Sequence, residues 1–319
     1  MPLSVPRPGD NELTVPSHAG RMMGIVKRWL VGLATLAVLA GGLAIRSSIV
    51  FGLVGLAVIF VPLERVFALH DQPVHRSGWG TDVVHFTVNN LLTNVGLVIP
   101  VVVVGLALRA LASPLHQAIV GQPGGVQFAE AFLLAELGGY AGHRAAHRIP
   151  VLWRFHKVHH SITEMDWLAS AHLHPIDQVW TRSCFVVPLF ALGFSRATFG
   201  SFLVFTTLQA IFIHANVRLR FGPLRWVVAT PEFHHWHHAN EDAARNSNFA
   251  GEFPWIDLVF GTLYLPKDRM PAAYGIDEPQ PAGYLAQMAW PFRSQSWRER
   301  QSTAASTTPS VETIAPVSQ

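Results

Sequence analysis

Apolar runs of bilayer-crossing length alternate with short polar connectors along the first two thirds of the chain, and this pattern predicts helices. Residues 1–22, rich in Pro and small polar residues with little apolar periodicity, are expected to form a disordered arm. Arg21, Lys27 and Arg28 followed by an apolar run resemble a signal peptide, but no small-residue cleavage site follows, so no cleavage is expected. Trp29 to Ile45 has about the minimum length of a membrane span, and Ser47 to Leu63 returns after a tight turn at Arg46. A polar connector with His70, His75 and Arg76 leads to a longer apolar stretch, Val83 to Leu111, in which Pro100 predicts a kink. Val126 to Gly142 makes a fourth span. Ser183 to Phe194 is too short to cross comfortably, so with Ala197 to His214 it is expected to form a re-entrant or tightly bent hairpin around Gly193, Phe194 and Ser195.

The fold class expected is all-α: a polytopic membrane helix bundle of about four spans plus a short hairpin, capped by histidine-rich helices. The expected organisation is an arm at 1–22, transmembrane helices and connectors at 23–125, a histidine-box domain at 126–270, a C-terminal segment at 271–293 and a disordered tail at 294–319.

Composition supports the membrane reading: 50% of residues are hydrophobic, 13% are charged and the mean hydropathy is +0.29. The net charge of +3 does not signal nucleic acid, because the basic residues are scattered and edge the apolar runs. Up to Arg225, fourteen Lys and Arg fall on the proposed inner side and three, Arg46, Arg109 and Arg196, on the outer. Such asymmetry places the histidine-rich face and both termini in the cytoplasm. The single cysteine, Cys184, permits neither an internal disulfide nor a cysteine-type zinc site.

Twelve of the seventeen histidines fall between His143 and His238. His143 and His147 stand at i and i+4; His156, His159 and His160 at i, i+3 and i+4; His234, His237 and His238 repeat that pattern. Each group directs its imidazoles to one side of a helix, and eight neutral rings on one membrane face suit ligation of more than one ion. The lone His18, His70, His75, His85 and His116 are read as hydrogen-bonded residues without a metal role. Neutral ligands leave the ions' charge uncompensated, so carboxylates are expected behind the rings. Glu136, Asp166, Asp177 and Asp257 are the principal candidates, with Glu232, Glu241 and Asp242 further ones. Glu136 shares a helix face with Tyr140, His143 and His147, and either orders His143 or satisfies a polar bundle interior.

The motifs YAGHRAAH, LWRFHKVHHS, AHLHPIDQ, IHANV, TPEFHHWHH and NSNFAGEFPWIDLVFGTLYLP occur in that order from about Phe128 to Pro266. In this region the chain resembles the fatty acid hydroxylase and sterol desaturase superfamily of integral membrane di-iron oxygenases. The resemblance implies metal ligands at His143, His147, His156, His159, His160, His234, His237 and His238, adds His214 from IHANV, and adds His174 from the His-Pro element. It departs from the family at Glu136, where an aspartate is common, and at Ala141, where a tryptophan is common.

The cofactors implied are two Fe ions with O2 as co-substrate. The reaction implied is hydroxylation or desaturation of a lipid C–H bond in a sterol, fatty acyl chain, carotenoid or similar molecule, the substrate entering laterally from the bilayer. Neither tail is long enough for a fused haem domain, so electrons are expected from a separate ferredoxin- or cytochrome-type donor with its reductase. His172 and His235 are read as polar neighbours of substrate or oxygen-derived groups, and Trp153, Phe155, Trp167, Phe233 and Trp236 as lining the substrate entrance or anchoring at the headgroup level. Asn248, Trp255, Asp257 and the turn Phe260-Gly261-Thr262 are expected to cap the site. The competing reading is a polytopic histidine-rich metal transporter or sensor.

Overall fold

The apolar run beginning at Ser48 folds into helix α1 (Ser48–Val66) in the computed structural model, which describes residues 48–219, 221–267 and 269–293. The expected arm, the span at Trp29 to Ile45 and the tail at 294–319 lie outside the described residues. The chain divides into a unit at Met1–Gly52 and a unit at Leu53–Gln319, and the packing below belongs to the second.

The stretch expected to span at Val83 to Leu111 is helical throughout: α2 (Trp79–Gly96), a π-helical stretch at Pro100–Gly105 and α3 (Leu106–Leu111). Proline has no N–H to give and its ring crowds the preceding turn, so the helix widens at Pro100. Helix α4 (Ser113–Val120) leads to α5 (Gly124–Arg148), followed by α6 (Pro150–His160), a 3-10 turn at Trp167–Ala171, α7 (Pro175–Leu192) and α8 (Arg196–His214). Beyond them lie the short helices α9 (Pro231–His237), α10 (Pro254–Val259) and α11 (Tyr284–Ala289). The described residues contain isolated β-bridges but no named strand.

Three of the described helices are long and apolar enough to cross a membrane: Ile49–Val66, the continuous Trp79–Leu111 and Arg196–His214. The stretch expected as a fourth span, Val126 to Gly142, is not among these three. It belongs to α5, whose polar Glu136 and Gln127 are buried while α7 and α8 pack against it, making it the central helix.

The expected hairpin turns where predicted, with Gly193 in the left-handed region (φ 77°) closing α7 and the Ser195 hydroxyl accepting from the Thr198 N–H to start α8. Its first leg is longer than the apolar pattern suggested. Helix α7 starts at Pro175, because its polar first turns bury Asp177 at the histidine-rich end instead of meeting lipid.

Close approach of α5 and α7 depends on glycine. A Cβ at Gly138 would stand 2.3 Å from the Cys184 carbonyl oxygen, and one at Gly142 2.6 Å from Cys184 Sγ. Gly138→Ala is therefore expected to push the two helices apart at a cost of about 1–3 kcal/mol. Thermal unfolding of the purified variant in detergent reads this, and an unchanged Tm would show that the contact is not needed.

Candidate metal centre

Four elements deliver the histidines. The last two turns of α5 carry His143 and His147. Pro150 then ends that helix, since a residue before proline is pushed to extended backbone (Ile149, φ −96°, ψ 115°), and α6 starts afresh with His156, His159 and His160. His214 is the last residue of α8, and α9 with its C-cap supplies His234, His237 and His238.

These nine rings form two clusters. His143, His147, His156, His160 and His237 make the first, and His159, His214, His234 and His238 the second; within each, the ligand atoms lie within 4.8 Å of one another. Each HxxHH segment is split between them. Its i and i+4 histidines enter one cluster and its i+3 histidine enters the other, so that His159 crosses to the second cluster and His237 to the first. The His160 and His238 rings stack across the divide with centroids 4.5 Å apart.

The protonation pattern tests whether these rings fit a cation. In the first cluster the Nδ1 atoms of His143, His156 and His237 face the Phe249 carbonyl (2.8 Å), Asp177 Oδ2 (3.0 Å) and the Ser247 carbonyl (2.7 Å). In the second, His159 and His214 Nδ1 face the carbonyls of His172 (3.2 Å) and Ala210 (2.6 Å). These oxygens only accept, so each Nδ1 is the protonated nitrogen and each Nε2 carries a bare lone pair.

Yet Nε2 of His143 and His156 lie 3.2 Å apart, as do those of His159 and His214. Lone pairs repel at that distance unless a cation stands between them. Nitrogens ~2.1 Å from one ion at ordinary ligand angles lie roughly 3.0–3.4 Å apart, which these spacings match. Buried His160 and His237 Nε2 have no hydrogen-bond partner.

Burial also favours the neutral form of several of these rings, as ligation needs. It pushes His237 down to about 3, and, with the charge of neighbouring rings, lowers His147, His160, His234 and His238 well below the ordinary histidine value.

The expected carboxylates divide. Asp177 bonds His156 directly. Glu136 does not touch His143; its Oε1 accepts from the Glu252 and Phe253 N–H groups at 3.0 and 3.1 Å. Asp257 accepts from the Phe249 and Ala250 N–H groups, both at 2.8 Å, and from the Thr262 hydroxyl at 2.6 Å. Glu136 and Asp257 thus hold residues 249–253, whose Phe249 carbonyl faces His143, and they reach the first cluster through backbone. Asp166 contacts no cluster histidine; it pairs with Arg76 at 2.6 Å and caps the 3-10 turn at Ala169.

His174 stands outside both clusters. Its Nδ1 accepts from the Ile176 N–H (3.1 Å) to cap α7, and its Nε2 faces the Met288 carbonyl (3.3 Å). His235 is fully buried against the Tyr274 hydroxyl (2.8 Å), and His172 is gripped by Asp82. Asp82, His85 and His172 form a third group. Both His85 nitrogens already face acceptors, the Leu173 carbonyl at 3.0 Å and Gln287 Oε1 at 2.7 Å.

Sequence reasoning gave no role at the site to Arg76, named only as part of a connector, nor to Asp82 and the carbonyls of Ser247 and Phe249. An acid at the head of an apolar run was the available signal for Asp82; a carbonyl gives none.

Of the five aromatics, Trp167, Phe233 and Trp236 are core residues, which neither expected role foresaw. Trp153 lies against His147 and His160 and lines a cavity of about 490 Å³ with them, His237 and Ile276. No histidine of the second cluster lines it.

Residues 128–262 match the fatty acid hydroxylase family model. An ornithine lipid hydroxylase of Rhizobium tropici is 31% identical over 205 residues, which cover 64% of this chain and 62% of the relative. The alkylglycerol monooxygenase of Homo sapiens is 32% identical over 149 residues (47% of this chain, 33% of the relative), and methylsterol monooxygenase 1 of Gallus gallus 25% over 125 residues (39% and 41%). The chain therefore spans less than two thirds of these relatives' own lengths. No solved structure matches it.

Proposed function

We propose, on the match of residues 128–262 to the fatty acid hydroxylase family model, that this chain is a membrane-bound di-iron oxidoreductase of that family. It uses dioxygen and external electrons to hydroxylate or desaturate a lipid C–H bond. The observation that carries this reading is the pair of adjoining buried histidine clusters, whose bare Nε2 lone pairs converge. His143, His147, His156, His160 and His237 would hold one ion, and His159, His214, His234 and His238 the other. Imidazole-only sets suit iron among other transition metals. Iron bound there supplies the reduction of dioxygen; the chain's own residues do the rest.

The Nδ1 contacts fix each ring's direction, Asp177 places negative charge behind His156, and burial excludes water from the second cluster. The cavity reaches the first cluster at His147, His160 and His237, so the reacting carbon is brought to that side, beside Trp153. The names of the three relatives all specify lipids, and the apolar helices supply a bilayer from which such a substrate enters. The clusters and both termini face the cytoplasm, where a separate ferredoxin- or cytochrome-type donor with its reductase delivers electrons. His174 serves as the cap of α7 in this reading, not as a ligand.

Anaerobic purification followed by metal analysis, with lipid mass spectrometry of cells carrying and lacking the gene, tests the proposal. Two irons per chain, oxygen uptake on reduction, and lipids altered by one added oxygen or two lost hydrogens are expected. Zinc alone with no oxygen uptake would overturn it in favour of a transporter or sensor.

A further inference from the structure

The two clusters differ in what stands behind them. The first has a carboxylate directly on a ring, Asp177 on His156 Nδ1. In the second, the Nδ1 atoms of His159 and His214 meet only main-chain carbonyls, and those of His234 and His238 have no partner. Neutral imidazoles around a divalent ion in a buried site call for compensating negative charge nearby.

We propose that Asp82 is a positioning residue for the ion of the second cluster, acting through His172. This rests on reading the clusters as metal sites. The carbonyl of His172 accepts a hydrogen bond from the Nδ1–H of His159, and the side chain of the same residue is gripped on both nitrogens: Nδ1 by Asp82 Oδ1 and Nε2 by the Gln280 amide at 2.5 Å. Gln280 also donates to the Ser161 hydroxyl (2.7 Å), beside His160.

Asp82 is in turn fixed by Arg76, whose Nη2 bonds Asp82 Oδ2 at 2.7 Å and Asp166 Oδ1 at 2.6 Å. Asp166 caps the 3-10 turn at Trp167–Ala171 that runs into His172, and His174 caps the helix that leaves it. The main chain presenting the His172 carbonyl is thereby pinned on both sides and through its own ring. Two carboxylates share one guanidinium, and the remaining partner of Asp82 is the His172 ring. All of these groups except Gln280 are buried. An acid in the first turn of an apolar helix is costly to keep, and steering His159 from one residue away accounts for it.

The test titrates the metal-free, detergent-purified chain with zinc against a chromophoric chelator. Two backgrounds isolate the clusters: His214→Ala disables the second, and His237→Ala disables the first. Asp82→Asn is expected to weaken zinc binding about 10- to 100-fold in the His237→Ala background and leave it unchanged in the His214→Ala background. Asp177→Asn should do the reverse, and Asp82→Glu should restore part of the loss.

Gln280→Met loosens His172 from the exposed side without touching the ion pairs. It should show the same selectivity more weakly, and it serves if Asp82→Asn unfolds. Equal weakening in both backgrounds, or none in the His237→Ala background, overturns the proposal. A wild-type chain that fails to take up two zinc ions overturns the metal-site reading and this proposal together; two ions with no selectivity overturns this one alone.

Discussion

His237→Ala is expected to abolish lipid oxidation while leaving the protein in the membrane. His237 crosses from α9 into the cluster built mainly by α5 and α6, its Nδ1 held by the Ser247 carbonyl and its Nε2 without any hydrogen-bond partner. It also lines the cavity, so the change strikes the ion that the substrate side meets. Losing a residue that merely orients a ligand already costs about 10- to 100-fold in affinity or activity, so losing the ligand should cost at least ~100-fold. His159→Ala is the matched change in the second cluster. Turnover of the lipid substrate, metal per chain and the amount in the membrane fraction should be read together. Full activity in either variant would refute the ligand assignment.

Arg76→Met should produce the largest loss of stability of any single change considered. The Arg76 side chain is 3% exposed, and its Nη2 serves both Asp82 and Asp166. Burial by itself would favour loss of its proton; the two carboxylates outweigh this and hold its pKa above the ordinary arginine value. Removing the cation leaves two buried carboxylates without their countercharge, which costs about 3–5 kcal/mol where a buried pair is broken from one side. That is a large share of the roughly 5–15 kcal/mol that holds a typical fold. Thermal unfolding and yield in the membrane fraction measure it. Neutralising the partners as well, in Arg76→Met with Asp82→Asn and Asp166→Asn, should recover much of the loss. A single Arg76→Met variant as stable as wild type would show that the charges are not coupled.

The helical pattern was legible because burial and lipid exposure both act through apolar periodicity. It marked α1, the departure from regular α-helix at Pro100 and the turn at Gly193. It started the first leg of the hairpin at Ser183, whereas α7 starts at Pro175, because apolar periodicity does not register polar helical turns that are buried against neighbouring elements. Glu136 shows the same limit within the site. Helical spacing put it on the face of His143, but it bonds the backbone of Glu252 and Phe253, which no local pattern brings close.

By itself the sequence determined which side chains are available and which way each group points along its own helix. Spacing of three and four residues fixes that through the helical turn. Only the tertiary structure decided how those rings are shared. Packing of α5, α6, α8 and α9 divides each HxxHH segment between two clusters, sends His159 and His237 across, leaves His174 as a helix cap and sets His172 between Asp82 and His159. The physical reason is that a ligand set requires nitrogen atoms converging within a few ångströms from separate helices, and that convergence depends on interhelical distances and rotations that no single helix encodes.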